Sequence, residues 1–591
     1  GRDDASGLAQ KQSRSANAGE ILTVGLGTIA AGNPSNPNSF TADQSFLLWG
    51  NNDGGLDADM ASLPAGAPAN VNNWLERKWL AQEKGSGTVG SVTVRFAFTG
   101  FSNLYLVTAS DAAFTSGVTY TPMSDLGEEG WETAYDFADG EYFTIAGYAL
   151  APGCVVNGLL LWSKADSDVG VEDGEPVEIW ENLVNPDYYV SQTTASLQPL
   201  YYSSSTGNLI NFNPALGFDG TGDLFNTSRL YANTSEFSLI SVSADRRTNG
   251  AAVAGIMGAG ADGNHPAMDF QTDGVSPNGW NPVMGASSPF EWGGSSAVLN
   301  GLAKGAANTA ANIMGLTTNN PPGGSNNIIS YVNGVKETTT LDAAQTAQIG
   351  NGIFIGSSND ADYTGLIPES IVYGRQLSDT EMKKVYTYLA IKYGVSLTHD
   401  YLAGDGSTIW DATANAAYHN DIAGIGRDDC QALTQKQSKS GNPDAYVTIG
   451  LGDIYATNMA NSQNFGADKS FMIWGNNNGV KGFTEPLTGT MLNRMGRIWT
   501  IRETGTVGTV KVRIPYSNIN SLVLVRSTDA TFDAGDAQFP MTCDGTYCWT
   551  TLDFADGDYF TFAGMVGEPF SANSNDQFDG LTAVQPAAPP T

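Results

Sequence analysis

Histidine paired with a serine or cysteine nucleophile is a common catalytic arrangement, and this sequence offers little of it. The chain has three histidines, His265, His399 and His419. None belongs to an HExxH zinc pattern, and none is close to a cysteine or to a serine in a nucleophile-elbow context. The sequence therefore predicts that histidine does no catalytic chemistry in this protein.

Carboxylate pairs are the next candidates for chemistry. The string DFADG occurs twice, with Asp136 and Asp139 in the first copy and Asp553 and Asp556 in the second. Two carboxylates could serve a glycosidase, but aspartates in a turn before a strand commonly bond nearby backbone amides. We interpret both pairs as turn residues. No catalytic residue is predicted, and the protein is expected not to be an enzyme.

The string FDGTGD at 218–223 is a candidate metal site. Asp219 and Asp223 supply the oxygen ligands that Ca²⁺ prefers. The alternative is that both aspartates only stabilise a turn. Calcium is the one cofactor that the sequence suggests.

The four cysteines are candidates for disulfides. Cys543 and Cys548 flank an Asp-Gly turn, where a hairpin brings two Cβ atoms within bridging distance. A zinc site would need further ligands nearby, so a disulfide is favoured, which indicates an oxidising, extracellular setting. Cys154 and Cys430 could pair across domains, and the sequence does not decide this.

Composition restricts the class of partner. The 591 residues carry a formal net charge of −33, so nucleic acid and anionic membranes would repel the chain. No run of 18 apolar residues predicts a transmembrane helix. Because the chain starts at Gly1, we interpret it as a processed or trimmed product. With 70 glycines and 15% charged residues, turn-rich β structure is favoured over helices.

One module of the chain occurs twice. GRDDASGLAQKQSRS at 1–15 aligns without a gap on GRDDCQALTQKQSKS at 426–440, and FTADQSFLLWGNN at 40–52 aligns on FGADKSFMIWGNN at 465–477. TVGSVTVRFAF and TVGTVKVRIPY alternate apolar and polar residues, as a strand with one wet face does. Two β-sandwich modules are predicted, at 1–150 and 424–564. We call them module one and module two.

A different domain, at 155–397, lies between the modules. It is rich in strand patterns until its end, where Ser378 and Glu381 form a capping box and Gly394 stands at the helix terminus. A linker with the first strand of module two follows at 398–423, and a polar tail occupies 565–591. The fold class predicted is all-β, with β-sandwich modules flanking a jelly roll that ends in one helix.

The order of these strings resembles a known group of proteins. GLLLWSKAD, FDG, YVNG and SIVYGRQLSDTEMKKVYTYLAIKYG, followed by GIGRDD, are similar to the LamG or concanavalin-like jelly rolls of large Bacteroidota surface proteins with repeated GRDD modules. The resemblance implies secretion to the outer cell surface or beyond, through the type IX route. It implies no catalytic residue.

Module one lacks a counterpart of the segment DIAGI at 421–425, which we expect to be the first strand of module two. A sandwich without that strand would expose part of its core and invite a donated strand. Gly1 and Arg2 border this gap, and Leu581 and Val584 in the tail are candidate donor residues.

The sequence thus predicts a non-enzymatic structural or adhesive protein of the cell surface. It either self-associates into a filament by strand complementation or forms part of a longer tandem array. The alternatives are a carbohydrate-binding adhesin that uses the jelly roll and, third, a glycan hydrolase.

Overall fold

The structure, a computed structural model, describes most of the chain. The described residues are 1–17, 20–55, 63–68, 71–85, 88–98, 101–167, 169–184, 189–205, 207–227, 236–246, 253–259, 265–271, 279–285, 310–319, 327–340, 352–358, 361–516 and 518–565.

The predicted all-β class is confirmed. The described residues are nearly all β and contain a single α-helix. Within the described ranges, six short 3-10 helices connect strands, at Asn33–Ser35, Gly127–Glu129, Pro152–Cys154, Ala195–Leu197, Ala416–Tyr418 and Asp429–Gln431. No helix within the described ranges is long and apolar enough to cross a membrane.

Module one forms two antiparallel sheets around a core of its own. Its strands are β1 (Arg2–Asp3), β2 (Leu8–Ala9), β3 (Gln12–Arg14), β4 (Leu22–Leu26), β5 (Ser45–Asn51), β6 (Asn73–Trp74), β7 (Trp79–Gly85), β8 (Val92–Phe96), β9 (Phe101–Ala109), β10 (Thr119–Pro122), β11 (Ser124–Asp125), β12 (Trp131–Tyr135) and β13 (Glu141–Ala149). One sheet has the order β10-β9-β13-β7-β5-β1-β2, with β6 on β13, and the other has the order β11-β12-β8-β4-β3.

The middle domain is also two-layered, which is the architecture expected of a jelly roll. Its strands are β14 (Leu159–Lys164), β15 (Ile179–Trp180), β16 (Val190–Ser191), β17 (Leu200–Tyr202), β18 (Ala215–Asp219), β19 (Phe225–Thr227), β20 (Ser238–Asp245), β21 (Val253–Ala259), β22 (His265–Gln271), β23 (Gly279–Gly285), β24 (Asn312–Asn319), β25 (Asn327–Val332), β26 (Val335–Thr340), β27 (Ile353–Ile355), β28 (Ser357–Ser358), β29 (Ala361–Asp362) and β30 (Thr364–Tyr373).

The two large sheets of this domain enclose one core. One sheet has the order β17-β18-β30-β20-β24-β25-β26, with β14 on β30, and the other has the order β15-β16-β19-β27-β21-β22-β23. Strand β30 is buried along nearly its whole length, because one face contacts the core between the sheets and the other face contacts the helix that follows.

Helix α1 (Asp379–Tyr393) ends the jelly roll as the sequence predicts. Ser378 Oγ accepts from the backbone N–H of Glu381, and the Glu381 carboxylate accepts from the backbone N–H of Ser378 at 2.8 Å. Gly394 terminates the helix with φ 69°, a left-handed conformation that favours glycine. These caps fix both ends of a helix that is buried on most of its surface.

A buried carboxylate ties α1 to the sheet below it. Glu369 of β30 is fully buried and accepts hydrogen bonds from Trp162 Nε1 (2.6 Å), Tyr388 Oη (2.8 Å), Tyr393 Oη (2.7 Å) and Lys392 Nζ (2.8 Å). Every one of these donors is itself buried. A charge removed from water is tolerated when its lone pairs are satisfied in this way.

The linker after α1 is folded. It contains β31 (Tyr401–Leu402) and β32 (Thr408–Trp410). Trp410 Nε1 donates to His419 Nδ1 at 2.9 Å, so the other ring nitrogen of His419 carries the proton that bonds Leu397 O at 2.8 Å. These bonds hold the linker against the end of the jelly roll.

Module two repeats the architecture of module one. Its strands are β33 (Asn420–Asp428), β34 (Leu433–Gln435), β35 (Gln437–Ser438), β36 (Thr448–Leu451), β37 (Ser470–Asn476), β38 (Phe483–Pro486), β39 (Asn493–Met495), β40 (Trp499–Thr504), β41 (Val510–Pro515), β42 (Asn520–Ser527), β43 (Ala537–Pro540), β44 (Thr542–Cys543), β45 (Tyr547–Leu552) and β46 (Tyr559–Met565). One sheet has the order β34-β33-β37-β40-β46-β39-β38, with β42 on β46 and β43 on β42, and the other has the order β35-β36-β41-β45-β44.

The jelly roll and module two share a continuous core. Buried residues of α1 and the linker contact Ile422, Leu433, Phe471 and Ile473 of module two in one apolar cluster. The segment predicted as the first strand lies within β33.

Candidate functional site

Strand β5 of module one lacks a partner along most of one edge, as far as the described residues go. It pairs with β7 at all of its residues but meets β1 only where Ser45 lies opposite Arg2. The equivalent strand of module two, β37, pairs with β33 from Ser470 to Asn476. An unpaired edge offers N–H and C=O groups that a further strand can bond.

Beside this edge the interior of module one is open. A cavity of about 410 Å³ is lined by Val24 and Val92 of the opposite sheet and by Leu47 and Trp49 of β5. Gly1 also lines it, and its ammonium group donates to Gln10 O at 2.7 Å. The walls are largely apolar, so water in the cavity makes few hydrogen bonds.

In module two the corresponding space is filled by β33. Ala423 and Ile425 are buried in the same core as Ile449, Met472 and Trp474. Ile422, by contrast, belongs to the core shared with the jelly roll. Strand β33 therefore completes module two on both of its faces.

The outer face of module one is exposed where that of module two is covered. Leu8 is 42% exposed, whereas its counterpart Leu433 is 1% exposed. Leu48 is 61% exposed, whereas its counterpart Ile473 is fully buried beneath α1. The same apolar positions are thus occupied in both modules but covered in only one.

The polar QKQS motif, at 10–13 in module one and 435–438 in module two, has the same conformation in both modules. Gln10 Nε2 donates to Gln12 O at 2.6 Å, as Gln435 Nε2 does to Gln437 O at 2.7 Å. The motif is therefore already shaped in module one for the contacts that it makes in module two.

In module two the jelly roll covers this motif. Asn213 Nδ2 donates to Gln435 Oε1 at 3.1 Å, and Asn211 Nδ2 donates to Ser438 Oγ at 2.9 Å. The equivalent Gln10 and Ser13 of module one are exposed. We call Leu8, Gln10, Ser13, Phe46 and Leu48, with the unpaired edge of β5 and the adjoining cavity, the open face.

The GRDD motif has a structural role in both copies. Arg2 forms an ion pair with Asp4, with 2.6 Å between Nε and Oδ1, and Arg427 pairs with Asp429 at the same distance. The Asp4 amide donates to Asp43 Oδ1 at 2.7 Å, and the same bond recurs in module two. These bonds fix the start of each module. Arg2 lies at the border of the open face and does not line its cavity.

The predicted donor residues Leu581 and Val584 lie outside the described residues.

Both cysteine pairs suggested by the sequence are joined in the structure. Cys543 and Cys548 face each other across the β44–β45 hairpin with Cα atoms 4.1 Å apart. Cys154, which lies just before the jelly roll, is joined to Cys430 of module two with Cα atoms 5.4 Å apart. Module one has Ala5 at the position of Cys430, so the covalent link belongs to module two alone.

Asp428 lies beside this interdomain disulfide. Its carboxylate accepts from Gly404 N at 2.9 Å and from Gln431 Nε2 at 2.8 Å, and burial raises its pKa. With Cys154 and Cys430 it is the one group of three potential metal-ligating side chains among the described residues. Both sulfurs are used in the disulfide, and metals bind the free thiolate.

Asp219 and Asp223 lie together at the turn after β18. Asp219 Oδ1 accepts from the Thr221 amide and hydroxyl, both at 2.7 Å, and Asp223 Oδ2 accepts from the Asp219 amide at 2.8 Å. Burial raises the pKa of Asp223 to about 6; the bond from the Asp219 amide opposes the rise, and the nearby Asp219 carboxylate adds to it. The turn interpretation accounts for these bonds, and calcium binding stays a prediction.

The two aspartates line a cleft of about 500 Å³ on the jelly roll. Tyr202, Asn208 and Arg246 also line it. Hydrogen-bonding groups beside an aromatic ring are the usual means of holding a polar ligand.

Asp223 should make the stability of the jelly roll depend on pH. Its folded-state pKa of about 6 exceeds the ordinary value of about 3.9, so the folded chain binds the proton more tightly than the unfolded chain does. This contribution is present below about pH 4 and is lost as the pH rises through 6. We expect Asp223→Asn, which keeps the acceptor oxygen, to be more stable than wild type by about 1–3 kcal/mol at pH 8 and nearly equal to it at pH 4.

Thermal unfolding of both proteins across pH 4–8 measures this difference, and parallel curves would contradict it.

Calcium binding by Asp223 can be tested with the same two proteins, because a ligand that binds only the folded state raises the melting temperature. If Asp223 is a calcium ligand, Ca²⁺ at pH 7.5 stabilises wild type, EDTA reverses the effect, and Asp223→Asn does not respond.

The chain belongs to a family described as a domain of unknown function, DUF8202. The family model matches residues 1–141 and 381–558, which together are more than half of the chain. The second stretch begins within α1 and continues through the linker into module two. Among curated proteins, none matches this chain.

Solved structures resemble the chain only distantly. Domain 4 of AbnA, an extracellular arabinanase from Geobacillus stearothermophilus in complex with arabinotriose, is 14% identical with a TM-score of 0.24, and the match covers 39% of this chain and 98% of that one. The receptor-binding domain of botulinum neurotoxin D is 10% identical with a TM-score of 0.27, covering 69% and 99%. The Trypanosoma rangeli sialidase is 11% identical with a TM-score of 0.25, covering 52% and 66%.

Sequence reasoning found the gap beside β5 but missed the outer part of the open face. The QKQS string is identical in the two modules, and a repeat comparison cannot show that one copy is covered by another domain. One signal in the sequence could have indicated it. Leu48 is equivalent to Ile473 in the repeat, so both copies retain an apolar residue on the second face of this strand.

Proposed function

We propose that the protein is a non-enzymatic structural or adhesive protein of the cell surface or the extracellular space, and that module one joins it to a neighbouring domain by accepting a β-strand. It acts as a subunit of a filament or as part of a longer array. One observation carries the proposal: the counterparts of the open-face residues are buried in module two by β33 and the jelly roll.

The physical argument is the cost of leaving this face uncovered. Module one exposes an apolar cavity, two leucines and the unpaired backbone groups of one sheet edge. Each of these features is unfavourable in water. A donated strand would bond the edge with its backbone and fill the cavity with its side chains, which is the usual mode of β-strand addition.

The extracellular setting is supported by the two disulfides, which persist in oxidising compartments. The net charge of −33 supports a role without nucleic acid or anionic membranes.

A labelled peptide with the sequence of residues 415–425 tests strand acceptance. We expect saturable binding to the 591-residue chain, because Ala423 and Ile425 of the peptide can fill the cavity as they fill module two. The control peptide carries Ile425→Asp, which would place a charge among apolar side chains and should not bind. Absence of binding, or equal binding by both peptides, would contradict the proposal.

Removal of residues 566–591 separates this account from donation by the tail. If Leu581 and Val584 occupy the open face, the shortened chain binds the peptide more tightly than the full chain does and loses any self-association.

A carbohydrate-binding adhesin is the second candidate, favoured by the cleft that contains Tyr202 and Arg246. An aromatic ring with polar neighbours can stack on a sugar and bond its hydroxyl groups. Glycan-array binding that is lost in Tyr202→Ala would support it. Turnover of glycans or esters would instead favour a hydrolase.

A further inference from the structure

We infer that the partner of the open face is the end of another jelly-roll domain, which supplies a helix, a linker and a strand of the kind found at 379–425. The inference rests on the proposed function and names the partner for the same face. It differs from simple strand donation because it assigns an occupant to the outer side of β5 as well as to its edge.

A strand alone would leave much of the open face uncovered. In module two, Ala423 and Ile425 point into the sandwich core, and these positions account for the cavity. Leu8 and Leu48 line the rim of the same cavity and extend to the other side of the sheet, where their counterparts belong to the core beneath α1. Successive side chains of a strand alternate between faces, so β33 presents Ile422 and Gly424 to the outer side, and α1 and the linker supply the rest of its cover.

The helix and the linker cover the outer side in module two. Ile391 of α1 and Trp410 of the linker share one apolar cluster with Leu433 and Ile473. A Cβ atom added at Gly424 would lie 3.7 Å from Ile391 Cγ1 and 3.2 Å from Ile473 Cγ1, so α1 packs closely over β33. A segment that presents these apolar groups in the same order would cover Leu8 and Leu48 of module one.

The polar part of the open face also matches a jelly roll. In module two, Asn211 of the jelly roll donates to Lys392 O at 3.0 Å, and its Oδ1 accepts from the Lys439 amide at 2.9 Å. One asparagine thus joins the end of α1 to the QKQS motif. Module one offers Ser13 and Arg14 at the positions of Ser438 and Lys439, so the same asparagine loop would find the same backbone and hydroxyl partners.

The extent of the family match supports this pairing. The match that covers module two begins within α1 and includes the linker. Helix, linker and sandwich therefore form one family unit. Module one contains the sandwich of that unit, and the open face is where the helix and the linker lie in module two.

The partner of module one would be held without a covalent bond through the GRDD region. Ala5 stands where Cys430 forms its disulfide with Cys154, just before the jelly roll. Binding of such a segment to the 591-residue chain should therefore be insensitive to reducing agents.

Three nested peptides, 415–425, 398–425 and 379–425, test the inference by titration into the 591-residue chain. The peptide that includes the helix should bind about tenfold more tightly, or better, than the strand peptide, because it also buries the outer leucines. Equal affinities of the three peptides would overturn the inference and leave strand acceptance standing. Binding by none of them would overturn both.

A double variant with Leu8→Lys and Leu48→Lys tests whether the higher affinity of the helix-containing peptide comes from contacts on the outer side of β5. Both leucines are exposed, so the substitutions should leave the fold intact. The strand peptide should lose some affinity for this variant, because Ile422 also meets the outer side, whereas the additional gain from the helix should disappear. Met491→Lys, at a position that is 86% exposed in module two, is the control and should keep the gain. A gain that survives in the double variant would overturn the inference.

Discussion

Replacing Glu369 with glutamine is expected to reduce the stability of the jelly roll by about 3–5 kcal/mol. Four buried donors converge on this carboxylate, and one of them is the charged Lys392 Nζ. Glutamine has nearly the same shape, but it removes the charge and turns one acceptor into a donor that faces other donors. Lys392 would keep the Asp166 carboxylate, at 2.8 Å, and Tyr388 Oη, at 3.2 Å, but would lose the buried negative charge beside it.

Urea denaturation followed by tryptophan fluorescence measures this loss, since Trp162 is part of the cluster. Glu485→Gln, at an exposed position of module two, is the matched control and should change stability by no more than about 0.5 kcal/mol. If both variants unfold together with wild type, the cluster does not hold the helix to the sheet.

Alanine at Ile473 and alanine at Leu48 should have very different effects, although the two positions are equivalent in the repeat. Ile473 is fully buried beneath α1, so Ile473→Ala should cost about 2–5 kcal/mol. Leu48 is 61% exposed, so Leu48→Ala should cost about 0.5 kcal/mol or less in the free chain.

Denaturation curves of the two single variants provide the comparison. A cost for Leu48→Ala close to that of Ile473→Ala would mean that the open face is already covered in the isolated chain, in conflict with the exposure described above.

The sandwich cores of this fold could be predicted because their signal is local. In TVGTVKVRIPY the residues Val510, Val512 and Ile514 are buried while Lys511 and Arg513 are not, as the alternation indicates. The caps of α1 at Ser378, Glu381 and Gly394 follow from the same kind of short-range chemistry.

Contacts between distant segments could not be predicted in this way. The buried cluster joins Trp162, Glu369 and Lys392, which are remote in sequence, and no periodicity marks them as partners. The bonds of Asn211 to the QKQS motif are equally remote. These contacts depend on how whole domains pack, which is why the outer part of the open face appears only in the structure.

Amide hydrogen exchange along β5 and β37 tests the central claim most directly. Alternate amides of β37 bond β33 and should exchange slowly, whereas the equivalent amides of β5, which face the unpaired edge, should exchange much faster in the free chain. Addition of the 415–425 peptide should slow exchange in β5 and leave β37 unchanged. Equal protection of the two strands in the free chain, or no response of β5 to the peptide, would contradict the account.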